Sequence, residues 1–244
     1  EKFNKIFIIC GEKSFLESGA KNLLEKLLNN KEVKHFFKKL SYPDLNELEE
    51  IIKSIKNFSP DLIVAVGGGS VLDYAKVANS LAFSDDLKNN VVHSNYKLDK
   101  NFSKLLAIPT TAGSGAEVTS NAVIYVDKIK YSVEGPQIKP DYFFLIPELV
   151  IGASKKIKSS AGFDAIAQAL ESLISKKSND KSVNFAKKSL QISLKYYLDY
   201  LDNPNLENTS AMCLAANLSG EAISISKTTA PHAVSYPFTS IYNI

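Results

Sequence analysis

The chain has no arginine and no tryptophan, and its 244 residues include only two cysteines, Cys10 and Cys213. Two cysteines this far apart in sequence do not indicate a disulfide framework or a cysteine metal site, so we expect both to be reduced residues of the core. Without arginine, the chain cannot bind phosphate or carboxylate through the two-pronged contact of a guanidinium group. An anionic ligand would therefore be bound by lysines and backbone N–H groups.

Long apolar runs and blocks of like charge are also missing. The longest apolar runs, Leu62–Val66 and Phe143–Ile146, are far shorter than the ~20 residues of a membrane-spanning helix. The net charge of +3 comes from lysines dispersed among Asp and Glu, which is typical of a solvated surface and not of a nucleic-acid interface. The first residues lead into an apolar run without a secretory cleavage site. These features predict a cytoplasmic protein that binds neither a membrane nor nucleic acid.

Up to residue 153, short apolar runs alternate with amphipathic stretches. The runs predicted to be extended are 5–10, 36–40, 61–66, 105–108, 122–126 and 142–146. The stretches with helical spacing of apolar residues are 18–29 and 46–56. Continuous apolar strands that alternate with helices predict a parallel sheet covered on both faces. We therefore expect a Rossmann-like α/β domain over residues 1–153.

From residue 154 onward the pattern is that of helices alone. Apolar residues recur at helical spacing over 162–175, 183–200 and 210–224, and a loop rich in Lys, Asn and Ser is expected over 176–182. The second predicted domain therefore covers residues 154–244 and is all-helical.

A glycine-rich turn follows the apolar run 61–66 and opens a helix. Glycines let the backbone approach a ligand closely, and the start of a helix directs N–H groups and a partial positive charge toward it. The turn is neither the GxGxxG fingerprint nor a P-loop. It predicts a pyrophosphate site, with a purely structural tight turn as the alternative. The residues assigned to this site are Gly67, Gly68, Gly69, Ser70 and Asp73.

A second small-residue segment, PTTAGSGAEVT (109–119), directly follows the run 105–108. Small hydroxyl residues and glycines at the carboxyl end of a strand suit the crevice where open α/β sheets bind ligands. The segment therefore predicts a second part of a nucleotide site, although it could also be a plain connector. Its candidate cofactor-binding residues are Thr110, Thr111, Ser114 and Thr119.

Four segments occur in the order and approximate spacing of the iron-containing alcohol dehydrogenase family: GGGSVLDYAK (67–76), PTTAGSGAEVT (109–119), AGFDAIAQALES (161–172) and APHAVSYPF (230–238). The chain resembles that family from Lys5 to its last residue. The resemblance implies a dinucleotide-binding α/β domain followed by a helical metal-binding domain, the architecture shared with dehydroquinate synthase. It also implies hydride transfer between NAD or NADP and an aldehyde or alcohol, with an iron or zinc ion acting as Lewis acid.

By the same resemblance, the metal ligands here are Asp164, Gln168 and His232. Gln168 stands one helical turn after Asp164, where the family has a histidine, and its carbonyl oxygen suits harder ions. The remaining family histidine would fall beyond Ile244, so we expect a C-terminally truncated chain whose metal is weakly held or absent. The alternative is that Asp164 caps a helix and Gln168 lies on the surface.

The resemblance also bears on the cofactor and the substrate. Many NAD-preferring members end their first strand with an acidic residue, but this chain has Gly11 there, which removes repulsion toward a 2′-phosphate. Lys13 could neutralise that phosphate and Glu12 acts against it, so NADP is favoured slightly over NAD. Lys130 resembles a family lysine near the cofactor, with an exposed hairpin lysine as the alternative. Tyr236 replaces a family histidine near the substrate and could contact the substrate.

The segments AGFDAIAQALES (161–172) and TTAPHAVSYP (228–237) resemble those of family members of phosphonate metabolism. This resemblance suggests a small anionic, phosphonate-bearing aldehyde as substrate. Two other interpretations stay open: a catalytically impaired dinucleotide-binding remnant of the family, and an enzyme like glycerol dehydrogenase or dehydroquinate synthase. Family members commonly pair, so a homodimer is expected. His35 and His93 lie outside every motif and are expected on the surface.

Overall fold

A computed structural model describes residues 3–242, apart from the side chains of residues 236, 237 and 239–242. The chain divides into two compact units, one formed by residues 1–109 and 120–144 and the other by residues 110–119 and 145–244. The segment 110–119 therefore belongs with the helical part of the chain, although it follows a strand of the other unit. The predicted domain boundary at residue 153 stays a prediction.

The first unit alternates strands and helices. Its strands are β1 (Lys5–Gly11), β2 (Glu32–Lys38), β3 (Leu62–Gly67), β4 (Lys104–Pro109), β5 (Asn121–Val126), β6 (Ile129–Glu134) and β7 (Tyr142–Phe143). Its helices are α1 (Glu12–Glu17), α2 (Ala20–Leu27), α3 (Leu45–Phe58), α4 (Gly69–Ser80) and α5 (Leu87–Val92).

A five-stranded parallel sheet with the order β2-β1-β3-β4-β7 forms the centre of this unit. Residues 6–10 of β1 and all of β3 are buried, as expected for strands covered on both faces. The chain leaves β1 toward β2 on one side and then crosses to β3 on the other. The crevice between the carboxyl ends of β1 and β3 is therefore the topological switch point, where open α/β sheets bind their ligands.

β5 and β6 form a separate antiparallel hairpin. Asp127 and Lys128, the two residues between the strands, both have positive φ angles, of 51° and 67°. Two consecutive residues of this kind make the tight turn whose twist matches that of a hairpin. Lys130 therefore lies on a hairpin strand, as the alternative for this residue expected, but it is half-buried and not exposed.

Several predicted elements have other bounds in the structure, among them the extended segment 36–40, which is the end of β2 (Glu32–Lys38). The helix expected over 18–29 is present as α2 but begins only at Ala20, after Gly19 with its left-handed φ of 84°, and the short helix α1 before it was not predicted. The extended segment expected over 142–146 is a strand only at Tyr142 and Phe143, after which the Phe144 N–H donates to the Ala107 carbonyl oxygen and a 3₁₀ turn begins at Pro147. Proline has no N–H to donate to a ladder, so the strand cannot continue through residue 147.

Long helices build the second unit: α6 (Lys155–Ile174), α7 (Asp180–Asp202), α8 (Leu206–Ser226) and α9 (Ala230–Tyr242). Helix α6 begins earlier than predicted because Ser154 caps it by accepting a hydrogen bond from the Ile157 N–H. A core of small and aromatic side chains lies among these helices. There the ring of Tyr197 packs against the bare α-carbon of Gly162, where a Cβ atom would lie 2.6 Å from a ring carbon.

Both cysteines are buried free thiols, as predicted. Burial is also the main reason why the pKa of each thiol is raised to about 12. His35 and His93 are exposed, as predicted. None of the helices described within residues 3–242 is long and apolar enough to cross a membrane.

One buried hydrogen-bond network joins α3 and α4. The hydroxyl of Tyr74, a wholly buried residue, donates to Glu47 Oε2 over 2.6 Å and accepts from the Asp44 N–H over 2.7 Å. Glu47, which is 5% exposed, also accepts a hydrogen bond from the Leu40 N–H. Loss of the hydroxyl would leave a buried carboxylate oxygen and a backbone N–H short of one partner each.

Replacing Tyr74 with phenylalanine is therefore expected to lower the free energy of unfolding by about 1.5–3 kcal/mol. The measurement is a urea titration followed by circular dichroism. Tyr96→Phe is the matched control, because the Tyr96 hydroxyl accepts from the Glu134 N–H at an exposed position. Equal losses in the two variants would contradict the assigned role of the buried network.

Candidate active site

Three polar side chains on one face of α6 form the centre of a candidate site in the second unit. Asp164, Gln168 and Glu171 are separated by four and three residues, which aligns them along an α-helix. Gln168 and Glu171 are only 4% and 3% exposed, so their polar atoms need partners within the protein. Asp164 lies inside α6 and Gln168 is buried. The alternative that made them a helix cap and a surface residue is therefore wrong.

His232, from the first turn of α9, lies between two of these carboxylates. Its Nε2 is 3.1 Å from Asp164 Oδ1, and its Nδ1 is hydrogen-bonded to Glu171 Oε1. The hydrogen bond to Asp164 raises the pKa of His232 above its usual value against the opposing effect of burial, and Glu171 acts in the same direction as Asp164. Two carboxylates around one imidazole favour a positive charge at this point.

Glu171 has a second set of contacts, with the residue that precedes α9. The Thr229 hydroxyl donates to Glu171 Oε2 over 2.8 Å, and the Thr229 N–H donates to the same oxygen. Burial would raise the pKa of Glu171, but the hydrogen bonds from His232 and Thr229 outweigh it and hold that pKa below its usual value. Glu171 had no predicted role. The available signal was an acidic residue seven positions after Asp164 on the same helix face.

The amide of Gln168 is held on both sides. Its Nε2 donates to Asp164 Oδ2 over 3.0 Å and lies 3.4 Å from the carbonyl oxygen of Ser114, while its Oε1 accepts from Ser219 Oγ over 3.0 Å. The amide nitrogen, and not the oxygen, therefore faces Asp164. Gln168 could offer an oxygen to a cation beside Asp164 only after its amide turned over. Its role as a metal ligand stays a prediction.

The side chains present fit a divalent cation in part. Asp164 Oδ1 and His232 Nε2 converge, both atom types bind iron and zinc, and the second imidazole nitrogen is held by a carboxylate, as in many metal sites. Among the described residues, no three His, Cys, Asp or Glu side chains form a group that could hold a metal ion. Within the described part of the chain, Asp164 and His232 are thus the two ligands of these residue types, and Gln168 is available as a third ligand.

Close backbone contacts fix the segment 110–119 against the helices of its unit. A Cβ atom on Gly115, whose φ is +59°, would lie 2.5 Å from the α-carbon of Gly220 in α8. A Cβ atom on Gly113 would lie 2.7 Å from the carbonyl oxygen of Ala161 in α6. These contacts hold the Ser114 carbonyl oxygen beside Gln168. Thr110 and Thr119 are buried in this segment, whereas Thr111 and Ser114 are half-buried.

The glycine turn belongs to the first unit and begins at the carboxyl end of β3. A Cβ atom on Gly67 would lie 2.6 Å from the Val71 side chain, so packing alone requires glycine there. Gly68, Gly69 and Ser70 are half-buried. Gly68 is the N-cap of α4 and has no side chain. The first hydrogen bonds of the helix run from the N–H groups of Val71 and Leu72 to the Gly68 carbonyl oxygen. The N–H groups of Gly69 and Ser70 come before these donors in the chain. The start of α4 thus provides an anion-binding geometry.

Gly11 ends β1 at the same switch point as the glycine turn, since Cys10 and Val66 are paired in the sheet. Lys38 ends β2 beside it, paired with Gly11, and its Cε would lie 3.9 Å from a Cβ atom at that glycine. Lys13 was the basic residue predicted near this position. The Lys13 side chain is 85% exposed and pairs with Glu17, so Lys38 is the better placed of the two.

Asp73 and Lys130 connect elements of the first unit. Asp73 Oδ2 accepts from the Val123 N–H over 3.1 Å, which joins α4 to β5. Burial raises the pKa of Asp73, while Lys76 and Lys130 act to lower it. Both residues therefore have structural partners, and their cofactor roles stay predictions. Tyr236, the predicted substrate contact, has a side chain outside the described part of the structure.

Comparison with known proteins decides the family. Residues 1–147 match the family model of iron-containing alcohol dehydrogenases, and residues 158–244 match that of the C-terminal part of Fe-containing alcohol dehydrogenases. The chain belongs to the iron-containing alcohol dehydrogenase family. The resemblance drawn from four short motifs is thereby confirmed, as is the predicted fold class of a parallel-sheet α/β region followed by helices.

Individual relatives in the family have varied names. 4-Hydroxybutyrate dehydrogenase of Clostridium kluyveri is 30% identical over 210 residues, covering 84% of this chain and 56% of that protein. Phosphonoacetaldehyde reductase of Streptomyces viridochromogenes is 31% identical over 199 residues, covering 78% and 50%. The structure of sulfoacetaldehyde reductase from Bifidobacterium kashiwanohense in complex with NAD+ matches with a TM-score of 0.90 at 30% identity, covering 99% and 64%. The chain thus spans about half the length of these two curated relatives.

The packing of the segment 110–119 gives a direct stability test. Gly115→Ala is expected to lower the free energy of unfolding by about 2–3 kcal/mol, because the new methyl group meets backbone and the φ angle is left-handed. Gly152→Ala is the matched control, because a Cβ atom there meets nothing within 4 Å. Its effect is expected to stay within about 0.5 kcal/mol. Urea titration of both variants measures the difference, and a neutral Gly115→Ala would contradict the close contact.

Proposed function

We propose that the chain carries the nucleotide-binding and cation-binding parts of an NAD(P)-dependent, divalent-metal-assisted alcohol dehydrogenase or aldehyde reductase. The reaction is hydride transfer between the nicotinamide and the carbonyl carbon of a small aldehyde. The observation that carries the proposal is the pair of glycine-bearing strand ends, Gly11 and Gly67, at the switch point of a parallel sheet. Membership of the family supports the same reaction class.

In the proposed nucleotide site, the start of α4 binds the pyrophosphate. The amides of Gly69 and Ser70 and the positive end of the helix dipole supply the attraction that arginine would supply elsewhere. Gly11 leaves room beside β1 for the adenine ribose. Lys38 ends β2 beside Gly11, and its ammonium group, which donates to the Leu40 carbonyl oxygen over 2.6 Å, would turn toward a 2′-phosphate there. This arrangement favours NADPH over NADH.

In the proposed cation site, Asp164 and His232 are the ligands, and Gln168 joins them when its amide turns over. A bound iron or zinc ion would polarise the carbonyl oxygen of the substrate as a Lewis acid. Glu171 and Thr229 keep the imidazole of His232 in place, and Ser219 is the hydrogen-bond partner of Gln168. The chain's own contribution is therefore to position donors on α6 and α9.

The proposed substrate is a small aldehyde that bears an acidic group. The names of the relatives given above denote a phosphonate-bearing aldehyde, a sulfonate-bearing aldehyde and a hydroxy acid. Since the chain has no arginine, the acidic group of such a substrate would be bound by lysines, hydroxyls or N–H groups. A homodimer and a cytoplasmic location stay predictions.

Nucleotide binding is tested with a charge placed in the glycine turn. NADPH and NADH are titrated into the purified chain while nicotinamide fluorescence is followed. We expect wild type to bind NADPH more tightly than NADH and Gly68→Asp to bind neither, because the new carboxylate repels the pyrophosphate. Asn30→Asp adds the same charge at an exposed turn and is expected to bind like wild type. Unchanged binding by Gly68→Asp would refute this site.

The cation site is tested at Gln168. Replacing Gln168 with histidine supplies an imidazole donor beside Asp164, so calorimetric titration is expected to show zinc binding tightened by about tenfold or more, with a smaller change for manganese. Asp164→Ala is expected to abolish zinc binding in both backgrounds. If Gln168→His and wild type bound zinc equally and Asp164→Ala bound it as well, no cation site would exist on α6.

A further inference from the structure

The turn that follows β2, residues 39–41, is exposed on its outer side and bound from within by a buried carboxylate. Each of its three residues is exposed. Glu47 of α3, which is 5% exposed, accepts hydrogen bonds from the Lys39 N–H over 2.5 Å and from the Leu40 N–H over 3.3 Å. A buried carboxylate and two backbone N–H groups would all lose partners if these contacts broke, so the backbone of the turn is fixed.

The residues after this turn are held as well. The Tyr74 hydroxyl lies 3.3 Å from the Tyr42 carbonyl oxygen, and the Pro43 carbonyl oxygen accepts a hydrogen bond from the Tyr125 N–H of β5 over 2.7 Å. The connection from β2 to α3, residues 39–44, is therefore bound by α3 at its beginning and by α4 and β5 further along. It provides a fixed support at the carboxyl end of β2.

The carbonyl oxygens of the turn hold the ammonium group of Lys38. Its Nζ donates to the Leu40 carbonyl oxygen over 2.6 Å and lies 3.5 Å from the Ser41 carbonyl oxygen. Burial lowers the pKa of Lys38, whereas Glu47 acts to raise it. In the sheet Lys38 is paired with Gly11, and its Cε would lie 3.9 Å from a Cβ atom there. The turn thus determines where this ammonium group stands at the edge of the sheet.

We propose that Glu47 is a positioning residue for cofactor choice: by binding the backbone of the turn 39–41, it keeps the ammonium group of Lys38 beside Gly11, where it can bind a 2′-phosphate. The inference rests on the proposed function in placing the adenine ribose beside Gly11. Glu47 is buried, so it acts through the turn and not by contact with the phosphate. Loss of its charge alone would strengthen phosphate binding, whereas loss of its hydrogen bonds would release the turn and weaken that binding.

The first measurement compares the dissociation constants of NADPH and NADH by nicotinamide fluorescence. Wild type is expected to bind NADPH about tenfold more tightly, the value of one charge-assisted hydrogen bond. Lys38→Met is expected to lose this preference through weaker NADPH binding alone. Glu47→Gln is expected to lose most of it in the same way, because the released turn no longer holds the ammonium group. A Glu47→Gln variant that kept or increased the preference would overturn the inference.

The matched control is Glu50→Gln. Glu50 also lies in α3 and its side chain is 57% exposed, with Oε2 3.4 Å from the Nζ of Lys39. The variant removes the same charge beside the same turn and leaves the backbone contacts of Glu47 intact. It is expected to keep the wild-type preference for NADPH. Equal losses in Glu50→Gln and Glu47→Gln would refute the role of the backbone contacts.

A purely structural role of Glu47 is separated by Tyr74→Phe. This variant removes the hydroxyl that donates to Glu47 but leaves the hydrogen bonds from the Lys39 and Leu40 N–H groups. It is expected to be less stable than wild type and to keep the preference for NADPH. If it lost that preference as fully as Glu47→Gln, stability and not the contact with the turn would set cofactor choice, and the inference would be wrong.

Failure of this inference and failure of the proposed function give different results. If wild type binds neither dinucleotide, the proposed nucleotide site is wrong and the inference falls with it. If wild type binds both equally, or if Glu47→Gln keeps the preference, the nucleotide site stands and the positioning role is refuted. Should Glu47→Gln fail to fold by circular dichroism, Glu47→Asp takes its place, because it keeps the charge and is too short to reach both N–H groups. The same loss of preference is then expected.

Discussion

The contact between two bare backbones, Gly115 against Gly220, is the constraint on which the second unit depends. No side chain larger than hydrogen fits at either position, because the nearest atoms of the partner would lie within 3 Å of a new Cβ. The contact brings the segment 110–119 close enough to α8 for Asn217 to donate to Glu117 over 3.0 Å. It also places the Ser114 carbonyl oxygen beside Gln168, and so defines one wall of the polar group on α6.

The chemistry of the site follows from the spacing of three residues on one helix, α6. Asp164, Gln168 and Glu171 point the same way, but their environments differ in depth. The most deeply buried carboxylate, Glu171, is occupied with His232 and Thr229, while the more exposed carboxylate of Asp164 faces the other imidazole nitrogen. The difference in burial therefore separates Glu171, which positions the imidazole, from Asp164, which is available to a cation. The amide of Gln168 lies between these carboxylates along the helix.

Much of this could be predicted from sequence because the signals were local. Buried strands such as 61–66 are continuous apolar runs, and the glycine turn stands directly after one of them. The four motifs were specific enough to indicate the family. The role of Glu171 was missed because it depends on a contact across 61 residues, and a lone acidic residue inside a helix is usually solvated. Lys38 was missed for a related reason, since only the pairing of β2 with β1 places it beside Gly11. The start of α2 at Ala20 depends on the conformation of one residue, Gly19, which periodicity does not report.

The proposed function depends on the binding of a dinucleotide at the carboxyl edge of β1 and β3. A backbone-amide NMR titration with NADPH tests it most directly, because it reports the location of binding and not only its strength. We expect the largest shift changes on Gly11 and on residues 67–70, with smaller changes near Lys38. Binding that left those amides unchanged and shifted residues elsewhere, such as the groove between α3 and α5 lined by Lys53 and Asp85, would contradict it.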